Sequence, residues 1–265
     1  MAVRIVTDSS AGLPAGVIEE LDITVVDLHV MRGEETSTSG LSSLELTAAY
    51  ARQLERGGDD GVLALHLSKE LSSTWSAAVT AAAVFDDTVK VIETASVGMA
   101  VGAAAMAAAK LALEGATLAE CQDIAEDTLK RSGTWIYLHR LDELRKSGRI
   151  STATAVLSTA LATKPIMKVN NGRLELAGIT RTQVKAFIKL VELVRERGTE
   201  KPAFVAIQHR NTPESADKLE DMLTEALPEG SSFMILDLED TLAVHTGDGA
   251  VGVSVIFGDH PEGAD

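Results

Sequence analysis

One cysteine, Cys121, stands in a chain of 265 residues, so no disulfide can form within it. Its setting reads as a helix, where a lone thiol serves as a small buried apolar residue. Basic residues are also few, with 24 Lys and Arg against 39 Asp and Glu and a formal charge of −15. Nucleic-acid binders draw most of their affinity from phosphate contacts made by a basic face. No Lys/Arg cluster here looks like such a face, which argues against a DNA or RNA partner. Long hydrophobic runs are missing too. The alanine-rich run from Val97 to Ala109 is too short to span a bilayer. The opening "MAVRIVTDSS" carries no apolar signal region. These absences read as a cytoplasmic protein.

What is present is enough apolar material for a full core. Hydrophobic residues make up 45% of a length that suits two domains. In the first half, strands are expected at Val3–Val6, Ile23–Val30, Gly61–Leu67 and Val89–Ile92. Helices are expected at Pro14–Leu21, Leu44–Glu55, Thr74–Phe85, Val97–Leu113 and Leu118–Arg131. On the third of these, Trp75, Ala78, Val79 and Ala82 share one face. Val- and Ile-rich strands separated by helices imply βαβ units and a buried parallel sheet.

The second half changes character. Strands are expected at Trp135–Leu138, Phe204–Gln208, Phe233–Leu238 and Val251–Phe257. Helices are expected at Leu141–Lys146, Ala153–Ala162, Thr182–Arg197 and Pro213–Leu227. A hairpin in "PIMKVNNGRLELAGI" turns at Asn170-Asn171-Gly172, residues that tolerate positive φ. The expected architecture is α/β: an N-terminal parallel-sheet, Rossmann-like domain over 1–132, and an α+β domain with a mixed or antiparallel sheet over 133–265. The tail "GDHPEGAD" reads as disordered.

Ligands of parallel α/β sheets bind beyond the carboxyl ends of the strands. The stretches that follow those ends are rich in hydroxyls: Thr7-Asp8-Ser9-Ser10, Ser68, Ser72-Ser73-Thr74 and Glu93-Thr94-Ala95-Ser96. Another, Thr36 to Ser43, precedes the second helix. Helix capping accounts for one hydroxyl per junction, as at Ser10 and Ser96. The surplus at Ser72, Ser73 and Thr74, and at Thr38 and Ser39, points to an anion such as a carboxylate or phosphate. Phosphate-loop, dinucleotide-fingerprint and nucleophile-elbow patterns are absent, and the histidines lack metal-ligand spacing. Ser72 with His245 leaves a serine-hydrolase arrangement as an alternative. His245 is expected in a loop before a strand, ahead of Gly247 and Gly249. Arg149 follows the Gly148 turn.

Six stretches in order resemble the DegV family. "VTDSSAGLP" (Val6–Pro14) is similar to its opening V-T-D-S-x-A-D-L-P, and "TSGLSS" (Thr38–Ser43) to T-S-Q-P-S-P. "LSKELSSTWSAA" (Leu67–Ala78) is similar to I-S-S-x-L-S-G-T-Y-x-S-A. "LHRLDELRKSGRIS" (Leu138–Ser151) resembles L-x-Y-L-K-K-G-G-R-I-S. "TKPIMKV" resembles x-K-P-I-L, and "HTGDGAVG" resembles H-x-G-P-G-A-x-G. The resemblance implies two α/β domains around a buried long-chain fatty acid, the only bound group, with no metal or other cofactor. It places the carboxylate on Thr38 and Ser72, with His245 near the head group. It further implies that the chain is not an enzyme. The acid would be presented to a separate ATP-dependent fatty acid kinase subunit, whose acyl phosphate product enters phospholipid synthesis, and a transient membrane contact is allowed. A different small carboxylic acid or a phosphate ester on the same fold is the other reading.

The departures are local. The stretch "VMRGEETSTSG" before the hydroxyl element is short. Gly40-Leu41 stand for Gln-Pro, Ser73 for Gly and Asp248 for Pro. An R-T-R element linked to kinase contact reads Arg181-Thr182-Gln183. These positions bear on ligand enclosure, chain length and kinase docking.

Overall fold

The computed structural model describes residues 2–33, 36–150, 163–198 and 200–258. The chain divides into two compact units, Met1–Leu129 and Lys130–Asp265. The division falls at the end of a helix, and Ser132 and Gly133 lie inside the strand that follows.

The first unit holds a four-stranded sheet in the order β2-β1-β5-β6, with every neighbouring pair parallel. Its strands are β1 (Arg4–Asp8), β2 (Thr24–Val26), β5 (Val62–His66) and β6 (Val89–Glu93). All residues of β1 and β5 are buried, as a parallel strand covered on both faces requires. Around the sheet run α1 (Ala15–Glu20), α2 (Ser43–Gly57), α3 (Thr74–Ala82), α4 (Met99–Leu113) and α5 (Leu118–Lys130). Helix α4 packs on β1 and β5, and its alanines are what let it approach. At Gly102 a Cβ would meet the Ala11 carbonyl oxygen at 2.8 Å, so only glycine fits there. Cys121 is buried on α5.

Three local expectations are corrected. The single strand expected at Ile23–Val30 is two strands. After β2 the chain leaves the sheet, where the Leu28 N–H donates to Ser9 Oγ (3.0 Å), and β3 (His29–Arg32) pairs instead with β4 (Thr36–Ser39). The hydroxyl-rich stretch before α2 is therefore partly a strand. Its alternating Thr and Ser face His29–Arg32 in antiparallel register, and β-branched threonines suit that pleat. On α3 the buried residues are Thr74, Ala78 and Ala81, at helical spacing, whereas Val79 is 42% exposed. Ser10 and Ser96 cap no helix. Asp8 caps the 3-10 turn Ser9–Ala11, and Gly98 precedes α4.

The second unit has a six-stranded mixed sheet in the order β11-β10-β12-β7-β8-β9. Its strands are β7 (Ser132–Tyr137), β8 (Lys164–Asn170), β9 (Arg173–Thr180), β10 (Phe204–His209), β11 (Ser232–Asp237) and β12 (Val251–Ile256). Only β10 and β11 run parallel; every other neighbouring pair is antiparallel. The β8–β9 turn takes positive φ at Asn171 and Gly172 (46° and 79°), the conformation of a tight hairpin. Helices α6 (Asp142–Lys146), α7 (Gln183–Arg197), α8 (Pro213–Ala226) and α9 (Asp240–Thr246) complete the unit. Thr182 caps α7 by accepting from the Lys185 N–H, and Pro213 opens α8. The helix expected at Ala153–Ala162 and the tail after Gly258 lie outside the described residues.

The core of this unit gathers on α7. Phe187, Leu190 and Val194 are fully buried with Val205, Ile207, Val253 and Val255 of the sheet. Phe187 meets Tyr137 edge-on at 5.2 Å between ring centroids. Replacing Phe187 with alanine is expected to cost about 3–5 kcal/mol. Urea unfolding followed by circular dichroism checks this through a lowered midpoint with an unchanged slope.

Candidate functional site

Strands β1, β5 and β6 run parallel, so their carboxyl ends share one edge of the first sheet. They end in Asp8, His66 and Glu93. Asp8 is buried and its carboxylate accepts four hydrogen bonds. Oδ1 takes Ser10 N–H (3.0 Å) and Ser10 Oγ (2.5 Å), while Oδ2 takes Leu67 N–H (3.0 Å) and His66 Nδ1 (3.0 Å). A carboxylate only accepts, so His66 carries a proton on Nδ1, and its Nε2 shares a 2.9 Å hydrogen bond with the buried Tyr50 hydroxyl. Burial, and then the negative charge of Asp8, push the Tyr50 phenol well above its usual range. Thr94 Oγ1 donates to the His66 carbonyl (2.7 Å) and Thr7 Oγ1 to that of Leu65 (2.7 Å). This network escaped sequence reasoning, because its bonded partners lie up to 59 positions apart. The one available signal was a histidine ending an otherwise apolar strand, "VLALH".

The loop held by Asp8 at Leu67 leads to the serine-rich junction. The Ser68 N–H donates to the Ser96 carbonyl (2.8 Å), and Ser68 Oγ accepts from the Glu70 N–H (3.1 Å), so this hydroxyl shapes the loop. Lys69 lies over the Trp75 ring at 5.2 Å. Ser72 Oγ accepts from the Thr74 N–H (3.2 Å) and shares a bond with Thr74 Oγ1 (3.0 Å). Thr74 Oγ1 in turn accepts from the Leu41 N–H at 3.2 Å. Ser73 occupies the N-cap position of α3, but its side chain makes no cap bond. Thr38 and Ser39 end β4, half-buried opposite Val30 and His29. The next residue, Gly40, lies against Ser72, Ser73 and Thr74. The structure thus joins the two hydroxyl stretches. It does so through the backbone of Gly40 and Leu41, just after Thr38 and Ser39.

In the second unit, His245 is not in a loop. It lies in the last turn of α9, which ends at Gly247 (φ 72°). The helix forms because Thr241, Ala243 and Thr246 give "TLAVHT" a buried face. Burial, and then the Arg149 positive charge, lower the His245 imidazole from 6.5 to about 4. Burial also lowers the Arg149 guanidinium. Thr246 lines an open cleft of about 700 Å³ together with His139, Arg140, Arg145 and Lys146. Its acids are Asp142, Glu143 and Asp248. Asp142 pairs with Arg140 (2.7 Å) and Glu143 with Lys146 (3.2 Å). Lys164 Nζ sits 3.1 Å from His139 Nδ1, and both groups are held below their usual range, chiefly by burial. Among the described residues no cluster of His, Cys, Asp or Glu suits a metal ion, and no helix is long and apolar enough to cross a membrane.

Comparison with known proteins is consistent across this fold. A family model described as an uncharacterised protein, DegV family, matches residues 32–258. A DegV domain-containing protein from Corynebacterium glutamicum is 69% identical over 97% of this chain and 94% of its own length. The crystal structure of a DegV family protein from that organism, 68% identical, superposes with a TM-score of 0.95 over 98% of this chain and 99% of that one. The crystal structure of DegV, a fatty acid binding protein from Bacillus subtilis, is 27% identical. It superposes with a TM-score of 0.85 over 97% of this chain and 99% of that one.

The His245 environment has a pH signature. Between about 4 and 6.5 the unfolded chain binds a proton at this residue that the folded chain does not. Its contribution to stability is therefore undiminished above pH 6.5 and declines as the pH falls toward 4. NMR titration is expected to find the imidazole neutral down to about pH 4. A His245→Gln variant should lose stability less steeply than wild type across that interval.

Proposed function

The chain belongs to the DegV family, and on that footing we propose that it binds a long-chain fatty acid and presents the carboxylate to a separate ATP-dependent kinase. The observation that carries this reading is the hydroxyl cluster at the strand ends, made of neutral donors on a rigidly anchored loop, in a chain whose fold matches a fatty acid binding protein. Thr38 and Ser72 are the proposed head-group contacts, supported by Ser39, Ser73 and Thr74. His245 and Arg149 are proposed as ligand residues on the family resemblance alone.

The energetics suit such a ligand. A sixteen-carbon chain buries about fourteen methylenes at roughly 0.8 kcal/mol each, on the order of 11 kcal/mol gross. Hydrogen bonds to the carboxylate add about 1.5–3 kcal/mol each. The tail sets affinity and the head group sets orientation. A carboxylate that is to attack a phosphoryl donor must keep one oxygen nucleophilic. Hydroxyls orient it without the charge neutralisation that a lysine would impose.

The same geometry speaks against a hydrolase. Among the described residues the Ser72 hydroxyl bonds to the Thr74 amide and hydroxyl, neither of which is a base. On this reading the protein alone turns nothing over, and chemistry requires the kinase and ATP.

Native mass spectrometry of purified protein is expected to show a co-purifying acid of about 14–18 carbons, the tail length whose burial the estimate above requires. A short acid or phosphate ester in its place favours the other ligand class. A Thr38→Ala, Ser72→Ala double variant is expected to lose about 10- to 100-fold in fatty acid affinity. It should also slow acyl phosphate formation in the presence of a fatty acid kinase and ATP. Undiminished phosphorylation at saturating fatty acid sinks the reading.

A further inference from the structure

Gly40 lies against three hydroxyls at once. A Cβ built there would sit 2.8 Å from Thr74 Oγ1 and 2.9 Å from Ser73 Oγ, closer than real Cβ contacts, and a tight 3.0 Å from Ser72 Oγ, so a hydroxyl would have to shift. The backbone at this position needs no left-handed φ, so the requirement for glycine is one of space alone. The hydroxyls it faces are unequal. Ser72 and Thr74 bond to each other, and their oxygens accept the amides of Thr74 and Leu41. One of their two protons is consumed between them, which leaves the other to donate outward. Ser73 Oγ makes no hydrogen bond among the described residues, and the residue is exposed. Its proton is the second outward donor.

We propose that Gly40 and Ser73 form a specificity pair: the missing side chain at Gly40 admits the Ser73 hydroxyl as an added donor to the ligand carboxylate. The inference rests on the fatty acid reading above and deepens it. Two neutral donors on one short turn match the two oxygens of a carboxylate. A side chain at Gly40 takes the space that the Ser73 hydroxyl uses, so the pair reads head-group shape through sterics at one member and a hydrogen bond at the other.

The test is a double-mutant cycle with palmitate, using full-length Gly40→Ala, Ser73→Gly and the combined variant. Affinity comes from calorimetry and Tm from ligand-free protein. Gly40→Ala is expected to weaken palmitate binding roughly tenfold in the wild-type background, the scale of one hydrogen bond to a charged group. In the Ser73→Gly background the same change should cost less than about threefold, the non-additivity expected of residues in contact. Equal penalties in both backgrounds, or none, overturn the proposal.

If Gly40→Ala does not fold, Ser73→Ala carries the test. It should weaken binding roughly tenfold with an unchanged Tm, because it removes an exposed hydroxyl that makes no hydrogen bond among the described residues. Wild-type affinity in that variant overturns the donor role. If the wild-type protein binds no palmitate, the fatty acid reading itself fails, and the pair is judged on the ligand-free Tm cycle. A Tm loss from Gly40→Ala that Ser73→Gly relieves supports the steric coupling, and an additive loss overturns it.

Discussion

A buried carboxylate needs donors for its lone pairs, and Asp8 accepts four hydrogen bonds from the protein. That one constraint organises the edge of the first sheet where its strands end. Two of its donors come from the 3-10 turn after β1, one from the end of β5 and one from the first residue of the serine-rich loop. Through His66 it also reaches Tyr50 on α2, the helix that begins just beyond the Thr38–Leu41 stretch. The His66 carbonyl holds Thr94 from the loop after β6. Each loop is therefore tied at its root to one buried charge. A buried polar network is rigid when every member is satisfied and costly when one is removed, so the hydroxyls beyond it inherit fixed positions.

The two units solve packing differently, and their chemistry follows. In the first, alanine-rich α4 lies close on strands buried on both faces, and beyond the Asp8, His66 and Glu93 strand ends the junction before α3 carries the short, neutral side chains of Ser72, Ser73 and Thr74. In the second, a helix of the same length packs Phe187, Leu190 and Val194 onto a mixed sheet, and most of the polar groups beside α6 and α9 are charged. Within a chain of formal charge −15, Arg140, Arg145, Lys146 and Lys164 stand out as a local concentration of cations, partly offset by Asp142 and Glu143. Neutral donors orient an anion without quenching it, whereas cations attract it over distance.

Much of this was legible in the order of residues. Period-two and period-3.6 patterns located the strands of both sheets and nearly all the described helices, because burial imposes those periods directly. The class of each half followed from spacing: helices between apolar strands in one, a hairpin and clustered strands in the other. Local pattern failed where a distant partner decided the outcome. Ile23 to Val30 is apolar enough to be one strand, but Ser9 takes the Leu28 amide and turns the chain out of the sheet. Thr36–Ser39 looks like a polar loop until His29–Arg32 pairs with it. Glycines after His245 suggested a loop, yet three buried residues before them make the last turn of a helix.

The sequence by itself determined the architecture, the family and the location of the hydroxyl surplus, because each depends on composition and short-range spacing. It could not rank one hydroxyl against another. That ranking comes from hydrogen-bond accounting. Ser68 shapes its loop, Ser72 and Thr74 share a proton, Ser73 is left open, and Gly40 leaves room for all three. Only the tertiary structure decides such matters, because a donor is free or used according to what the fold brings within hydrogen-bond reach, and here that neighbour, Leu41 just after β4, is thirty-three positions from Thr74.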